Sequence, residues 1–176
     1  LSYDERRAKD VMIPRTKIAA LNINDTIEEA LQLSQETSCS RFPVFKEDID
    51  DIQGILCIQD LLFSKECRLY LQALDKNEFP PPSLQFFLRE PVFIFSNAHL
   101  SQIRKKLKDA NEKMAIVVDE YGGTLGLVTI EDLNEEIFGE IVDEHDRQIE
   151  EETFYTRVKD GILLKGETPL SMINEE

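Results

Sequence analysis

No stretch of this chain is both long and apolar. Its longest uncharged run, Pro91 to Ile103, is interrupted by Ser96, Asn97 and His99 and falls well short of the roughly twenty apolar residues that cross a bilayer. A soluble globular protein with no membrane-spanning segment is expected. Basic charge is scarce too: 20 Lys and Arg stand against 35 Asp and Glu, a net charge of −15. Such a chain repels phosphate backbones, so nucleic acid is not expected as a partner in the absence of a strong local basic patch. Cysteine is limited to Cys39, Cys57 and Cys67, an odd number without C-x-x-C spacing, which points to neither a disulfide framework nor a zinc site and fits a reducing, cytosolic setting. His99 and His145 are isolated, and no Ser-His-Asp set or nucleophile elbow is present, so a catalytic role has no specific support and the chain is read as non-enzymatic. It opens on Leu1 and stops amid strand-like alternation, as an excised fragment would, so the missing leader is uninformative.

What the chain has is a repeat. Gly54 to Leu61 (GILCIQDL) returns as Gly126 to Leu133 (GLVTIEDL), each a small apolar strand running into a helix with an aspartate in its first turn. Self-similarity at this period argues for two stacked modules with function in the cleft between them. The first copy begins near Asp10 with an extended DVMIP segment, because Pro14 biases Ile13 toward extended geometry. A strand-like ALNI follows, then a helix with Asn24, Asp25 and Thr26 as caps, Glu28 and Glu29 in its first turn, and Ile27, Ala30 and Leu31 starting its apolar stripe. PVF (Pro43 to Phe45) and Ile52 to Ile58 read as strands around an acidic turn, and Asp60 opens the second helix. The order strand, helix, strand, strand, helix recurs after LQALDKNEFPPP, whose three prolines continue neither helix nor central strand. In the second copy PVFIF is the first strand, and Leu100, Ile103, Leu107 and Ala110 form a helical face at the places of Ile27, Ala30, Ser34 and Thr37 in the first. AIVV and LGLVTI are its strand pair. Their connecting turn, DEYGGT, is one position shorter than its counterpart and shifts the alignment of the copies by that one position. The expected divisions are residues 1–68 for an N-terminal segment and first module, 69–82 for a linker, 83–145 for the second module, and 146–176 for an acidic linker and the start of a further domain. In that last span FYTRV and ILLKG read as a hairpin and PLSMINEE as a helix start.

The doubled unit ending in G-h-x-T-x-x-D resembles the cystathionine-β-synthase (CBS) domain over residues 10–142. DVMIPR (Asp10 to Arg15), SRFPVF (Ser40 to Phe45), MAIVVDEYGGTLGLVTIEDL (Met114 to Leu133) and EEIFGEIVDEHD are similar to the CorC/HlyC family, the hemolysin-like or CNNM-type magnesium and cobalt transport proteins. That resemblance implies an α+β, sandwich-like fold of two tandem β-α-β-β-α repeats, a cleft for an adenine nucleotide (ATP, ADP or AMP), with or without magnesium, and a flat homodimer through helix faces bearing Ile27 and Leu100 or their neighbours. It implies as well a transmembrane domain outside this chain and a place as the cytoplasmic portion of an inner (plasma) membrane protein. A secreted haemolysin, the family name notwithstanding, is disfavoured because the acidic chain has no basic amphipathic helix of the membrane-surface kind.

Asp132 can accept hydrogen bonds from both ribose hydroxyls with the Thr129 hydroxyl nearby. Equally, T-x-x-D is a capping box, with Thr129 satisfying a helix N–H and Asp132 favouring the positive dipole end; one residue can do both. In the first copy Cys57 stands where Thr129 stands, leaving Asp60 beside a weak thiol donor, so the Asp60 site is expected to be weak or empty. The family resemblance adds Met12, Ile13, Arg41, Pro43 and Ala115 as candidate contacts. Arg15 and Arg41 are the favoured phosphate cations; Arg104, Lys105, Lys106 and Lys108 read as the solvated face of a helix. Gly122 and Gly123 read as turn residues with positive φ, not a phosphate loop, because a strand rather than a helix follows, while Gly54 and Gly126 mark close backbone approach. Glu136, Glu140, Asp143 and Glu144 could share a helix face and chelate magnesium, though such runs are more often solvated. The competing functional class is a structural dimerisation module that binds no ligand.

Overall fold

The computed structural model describes residues 3, 5–73, 79–139, 155–158 and 161–164. In chain order, α1 (Ala8–Val11) and β1 (Ile13–Pro14) precede the first repeat, which comprises β2 (Leu21–Asn22), α2 (Ile27–Thr37), β3 (Arg41–Phe45), β4 (Ile52–Cys57) and α3 (Ile58–Phe63). After α4 (Lys65–Gln72) and β5 (Leu88–Arg89) the second repeat follows as β6 (Val92–Phe95), α5 (Leu100–Ala110), β7 (Met114–Val118), β8 (Thr124–Thr129) and α6, residues 130–139. The chain divides into two compact units, Leu1–Asn134 and Glu135–Glu176. In the second unit β9 (Tyr155–Val158) and β10 (Gly161–Leu164) pair antiparallel, where the sequence predicted a hairpin. The predicted helix start in PLSMINEE and the acidic run beyond residue 139 lie outside the described residues.

Capping chemistry sets the helix boundaries. Thr26 accepts from the Glu29 N–H at 3.1 Å while Glu29 accepts from the Thr26 N–H at 2.7 Å, a reciprocal box that satisfies two otherwise orphaned donors. Ser38 and Asn111 end α2 and α5 in the left-handed conformation, at φ 57° and 53°. Leu100, Ile103 and Leu107 are fully buried, each contributing about 1.5–3 kcal/mol relative to exposure. Ala110, predicted on the same face, is exposed as the last residue of α5. α1 departs from the expected extended segment: Ala8–Val11 is a helical turn, held by Arg7 N–H to Asp10 at 2.8 Å and by Ala8 and Lys9 N–H to the Ala98 and Ser96 carbonyls. Pro14 constrains Ile13 but not the turn before it.

Each repeat forms a four-stranded sheet, β2-β3-β4-β5 and β1-β8-β7-β6. The edge strands are exchanged. β1 precedes the first repeat yet pairs antiparallel with β8 of the second, Ile13 opposite Leu127; β5 precedes the second yet pairs with β4 of the first, Arg89 opposite Ile55. Helices cover one face of each sheet, giving one core around Phe42, Val44, Leu56 and Leu61 and another around Ala115, Val117, Val128 and Leu133. The other faces meet in a third cluster of Ile55, Met114, Ile116, Val118 and Leu127, with Ile13, Ile18 and Ile52 packed against it. Strand alternation explains the division, since neighbouring residues of β7 point to opposite faces.

Two further expectations change. Ile27 and Leu100 are both 0% exposed, so neither is available for dimer contacts; each is spent on its own module's core. Gly122 has positive φ, at 83°, and Gly123 does not: the Asp119 carboxylate accepts from the Tyr121 and Gly123 N–H groups at 2.9 and 2.8 Å and shapes the turn with one left-handed residue.

Candidate functional site

A cavity of about 460 Å³ opens at one end of the seam between the sheets, within the roughly 300–1,000 Å³ range of ligand sites. Both repeats and the exchanged segment contribute. Ile13, Ile18, Ala19, Met114 and Leu127 make apolar wall, Thr37 to Phe42 wrap one side, and Thr129 and Glu131 come from the β8–α6 junction. Lys17, Arg41 and Lys113 also line it. Among the described residues these three cations have no ion-pair partner, whereas Arg15 is paired with Asp50 and Arg89 with Asp60. In a chain of net charge −15, three unneutralised cations facing one cavity, with Glu131 the sole lining carboxylate among the described residues, form a local field suited to an anion.

Thr129 and Asp132 form the capping box. Asp132 Oδ2 accepts the Thr129 N–H at 2.8 Å and its hydroxyl at 2.7 Å, while Thr129 Oγ1 accepts the Asp132 N–H at 3.2 Å. Asp132 Oδ1 receives no hydrogen bond from a described residue, so the carboxylate that starts α6 keeps acceptor capacity beside the cavity mouth.

Of the residues nominated from sequence, Ile13, Arg41 and Thr129 line the cavity. Asp132 is one residue beyond the lining Glu131 and half-exposed. Met12 packs on the second module's core and Ala115 is buried within it; Pro43 is buried in β3 opposite Ile55. Arg15 takes another role, donating to Asp50 and, at 3.0 Å, to the Thr124 carbonyl, while the Thr124 N–H donates to Asp50 at 2.8 Å. The Arg15 hydrogen bond first, then that from Thr124, holds the Asp50 carboxyl below its ordinary value. Lys17 and Lys113 were not picked out from the sequence. Their signal was weak, since lone lysines in polar segments do not reveal which cleft they face. The solvated reading of α5 is seen directly: Lys105 is exposed and pairs with Asp109 at 3.7 Å, and Arg104 donates to Asn134 at 3.0 Å. Among the described residues no group of three or more His, Cys, Asp or Glu could hold a metal; Glu140, Asp143 and Glu144 lie outside them.

The first repeat differs at the matching place. Cys57 caps α3 without a side-chain hydrogen bond, and Asp60 turns instead to Arg89, accepting from Nε at 2.8 Å and Nη2 at 3.0 Å. Those hydrogen bonds raise the Arg89 guanidinium pKa further above its ordinary value, against the lowering effect of burial.

The glycines confirm the close approach expected of them. A Cβ on Gly54 would lie 2.8 Å from the Arg89 carbonyl oxygen, and one on Gly126 would collide with the Ile13 carbonyl oxygen. In both repeats this glycine admits the exchanged strand.

Comparison with known proteins agrees with this architecture. The CBS domain family model matches residues 8–65 and 85–139. The magnesium and cobalt efflux protein CorC of Escherichia coli K12 is 39% identical over 144 residues, covering 82% of this chain; the chain spans 46% of that protein. The CBS domain of a bacterial CNNM/CorC family Mg2+ transporter, solved in complex with ATP, is 34% identical with a TM-score of 0.67, over 78% of this chain and 90% of that one. A CBS-domain pair from Klebsiella pneumoniae with bound AMP is 27% identical with a TM-score of 0.59, over 75% of this chain and 98% of that one. Doubled repeat, exchanged edge strands and sequence likeness together show that the chain belongs to the CBS-domain family, as a CBS pair homologous to those of the CNNM/CorC magnesium transporters.

Proposed function

We propose that this CBS pair is a non-catalytic regulatory module that binds an adenine nucleotide in the cavity between its repeats, as the cytosolic part of a membrane-associated divalent-cation transport or efflux protein. The observation that carries the proposal is the cavity itself, with an apolar wall at Ile13, Ile18, Met114 and Leu127 and, at Lys17, Arg41 and Lys113, cations without an ion-pair partner among the described residues. The wall suits a purine, the cations suit phosphates, and the free oxygen of Asp132 suits a ribose hydroxyl. The structures with ATP and AMP among the relatives support this ligand class. Glu131 is the lining's one carboxylate among the described residues, which fits a magnesium ion carried in on phosphate oxygens better than one caged by protein ligands. Bound nucleotide would act by its difference in affinity for two conformations of the larger protein, since only that difference shifts populations. Homodimerisation belongs to the same proposal, through surfaces other than Ile27 and Leu100.

Calorimetric titration with AMP, ADP and ATP, each with and without magnesium, tests the assignment. Affinity should rise with phosphate number, and Lys17→Gln with Lys113→Gln should flatten that rise. Absence of binding by all three nucleotides would leave a scaffold that dimerises without a ligand.

A further inference from the structure

The two repeats are unequal at one position whose consequence can be worked out from strand register. Leu127 of β8 and Ile55 of β4 are equivalent, each directly following the glycine of its repeat. Leu127 faces Ile13 across the exchanged edge, and Ile55 faces Arg89. Arg89 therefore holds the first repeat's copy of the place that Ile13 holds beside the cavity. Equivalent glycines make the same match, because Gly126 abuts the carbonyl of Ile13 and Gly54 that of Arg89.

In the open half, a short isoleucine leaves space and Asp132 keeps an oxygen free. In the other half the guanidinium crosses to Asp60 and donates two parallel N–H groups to its two oxygens, at 2.8 and 3.0 Å. A guanidinium fork satisfies a carboxylate with paired donors, as the two hydroxyls of a ribose diol would. Arg89 also lies 3.8 Å from Glu112 Oε2. Glu112 follows α5 as the cavity-lining Cys39 follows α2, one position beyond the left-handed residue that ends each helix. The side chain thus bars the first repeat's crevice from one repeat to the other.

We propose that Arg89 is the built-in occupant of a latent ribose-diol site at Asp60, and that replacing it with the isoleucine of the other half, with the capping hydroxyl restored at Cys57, creates a second adenosine-binding site. This rests on the nucleotide reading of the Asp132 cavity. Asp60 and Arg89 side chains are 34% and 38% exposed, so their ion pair contributes little to stability and its loss leaves the fold intact.

The test is calorimetric stoichiometry with AMP and with adenosine, the latter because Glu112 stays in the wall and disfavours phosphate. The variants are Arg89→Ile with Cys57→Thr, the same pair in an Asp132→Ala background, and Asp60→Ala added to the pair; circular dichroism and thermal melting verify folding. The wild type should bind one ligand per chain and the Arg89→Ile, Cys57→Thr protein two for at least one probe. Asp60→Ala should return that number to one. A folded variant that still binds one, or a wild type that already binds two with one lost on Asp60→Ala, overturns the inference. Should the wild type bind none while the variant binds one through Asp60, the nucleotide reading of the Asp132 cavity fails and the latent site stands. Binding by neither overturns both. If the variant fails to fold, Arg89→Ala alone is the second measurement: adenosine binding that Asp60→Ala removes upholds the latent site, and its absence refutes it.

Discussion

Asp132 carries two separable duties, and substitutions at Asp132 and Thr129 divide them. Its Oδ2 holds the start of α6 through bonds of 2.8 and 2.7 Å from Thr129. Losing such a cap costs about 1 kcal/mol, or a fall in melting temperature of about 2–4 °C for a chain of this size. Thr129→Val and Asp132→Ala should both show that loss. Binding should separate them. A hydrogen bond to a charged group is worth about 1.5–3 kcal/mol against about 1 for a neutral one, and about 1.4 kcal/mol is a factor of ten in affinity. Asp132→Ala should therefore weaken ATP binding tenfold or more, whereas Thr129→Val, which keeps the carboxylate, should weaken it less than tenfold. Calorimetry at fixed ionic strength and thermal unfolding on the same preparations give both numbers. If Asp132→Ala melts lower yet binds ATP with wild-type affinity, the carboxylate is a cap alone and its ribose role is refuted.

Two other outcomes follow from named contacts. The Asp50 carboxyl has its folded pKa below the ordinary 3.8 because of Arg15 and the Thr124 N–H. Its stabilising contribution is thus present above that value and lost as pH falls through the lower folded one; melting curves from pH 7 to pH 3 should show a shallower acid decline in Asp50→Asn than in the wild type, and identical slopes would count against the link. Gly126→Ala should push β1 off β8 by its collision with the Ile13 carbonyl, costing about 1–3 kcal/mol as overpacking does. Because Ile13 lines the cavity and Arg89 does not, Gly126→Ala should weaken ATP binding more than Gly54→Ala, a comparison that equal affinities would contradict.

Local chemistry made much of the fold legible. The echo of GILCIQDL in GLVTIEDL, the Thr26–Glu29 box, the prolines after residue 79 and the apolar runs of β7 and β8 each act through near neighbours, and such signals survive in sequence. The Thr129–Asp132 pair was legible for the same reason, its partners being three residues apart. Lys17 and Lys113 were not, since they meet only when segments from opposite ends of the doubled unit converge on one cavity. Nor did sequence show that Arg15 would be claimed by Asp50 and Thr124, or that Ile27 and Leu100 would be consumed by their own cores.

From sequence alone came the twofold module, its helix starts and the difference between Thr129 and Cys57. Tertiary structure decided which edge each short strand covers. Two sheets of the same strand arrangement offer edges of the same kind, and local pattern cannot choose between them; β1 went to β8 and β5 to β4 through pairings that close long loops. That exchange set Ile13 beside an open cavity and Arg89 against Asp60, so the inequality of the two crevices arises from packing partners far apart along the chain.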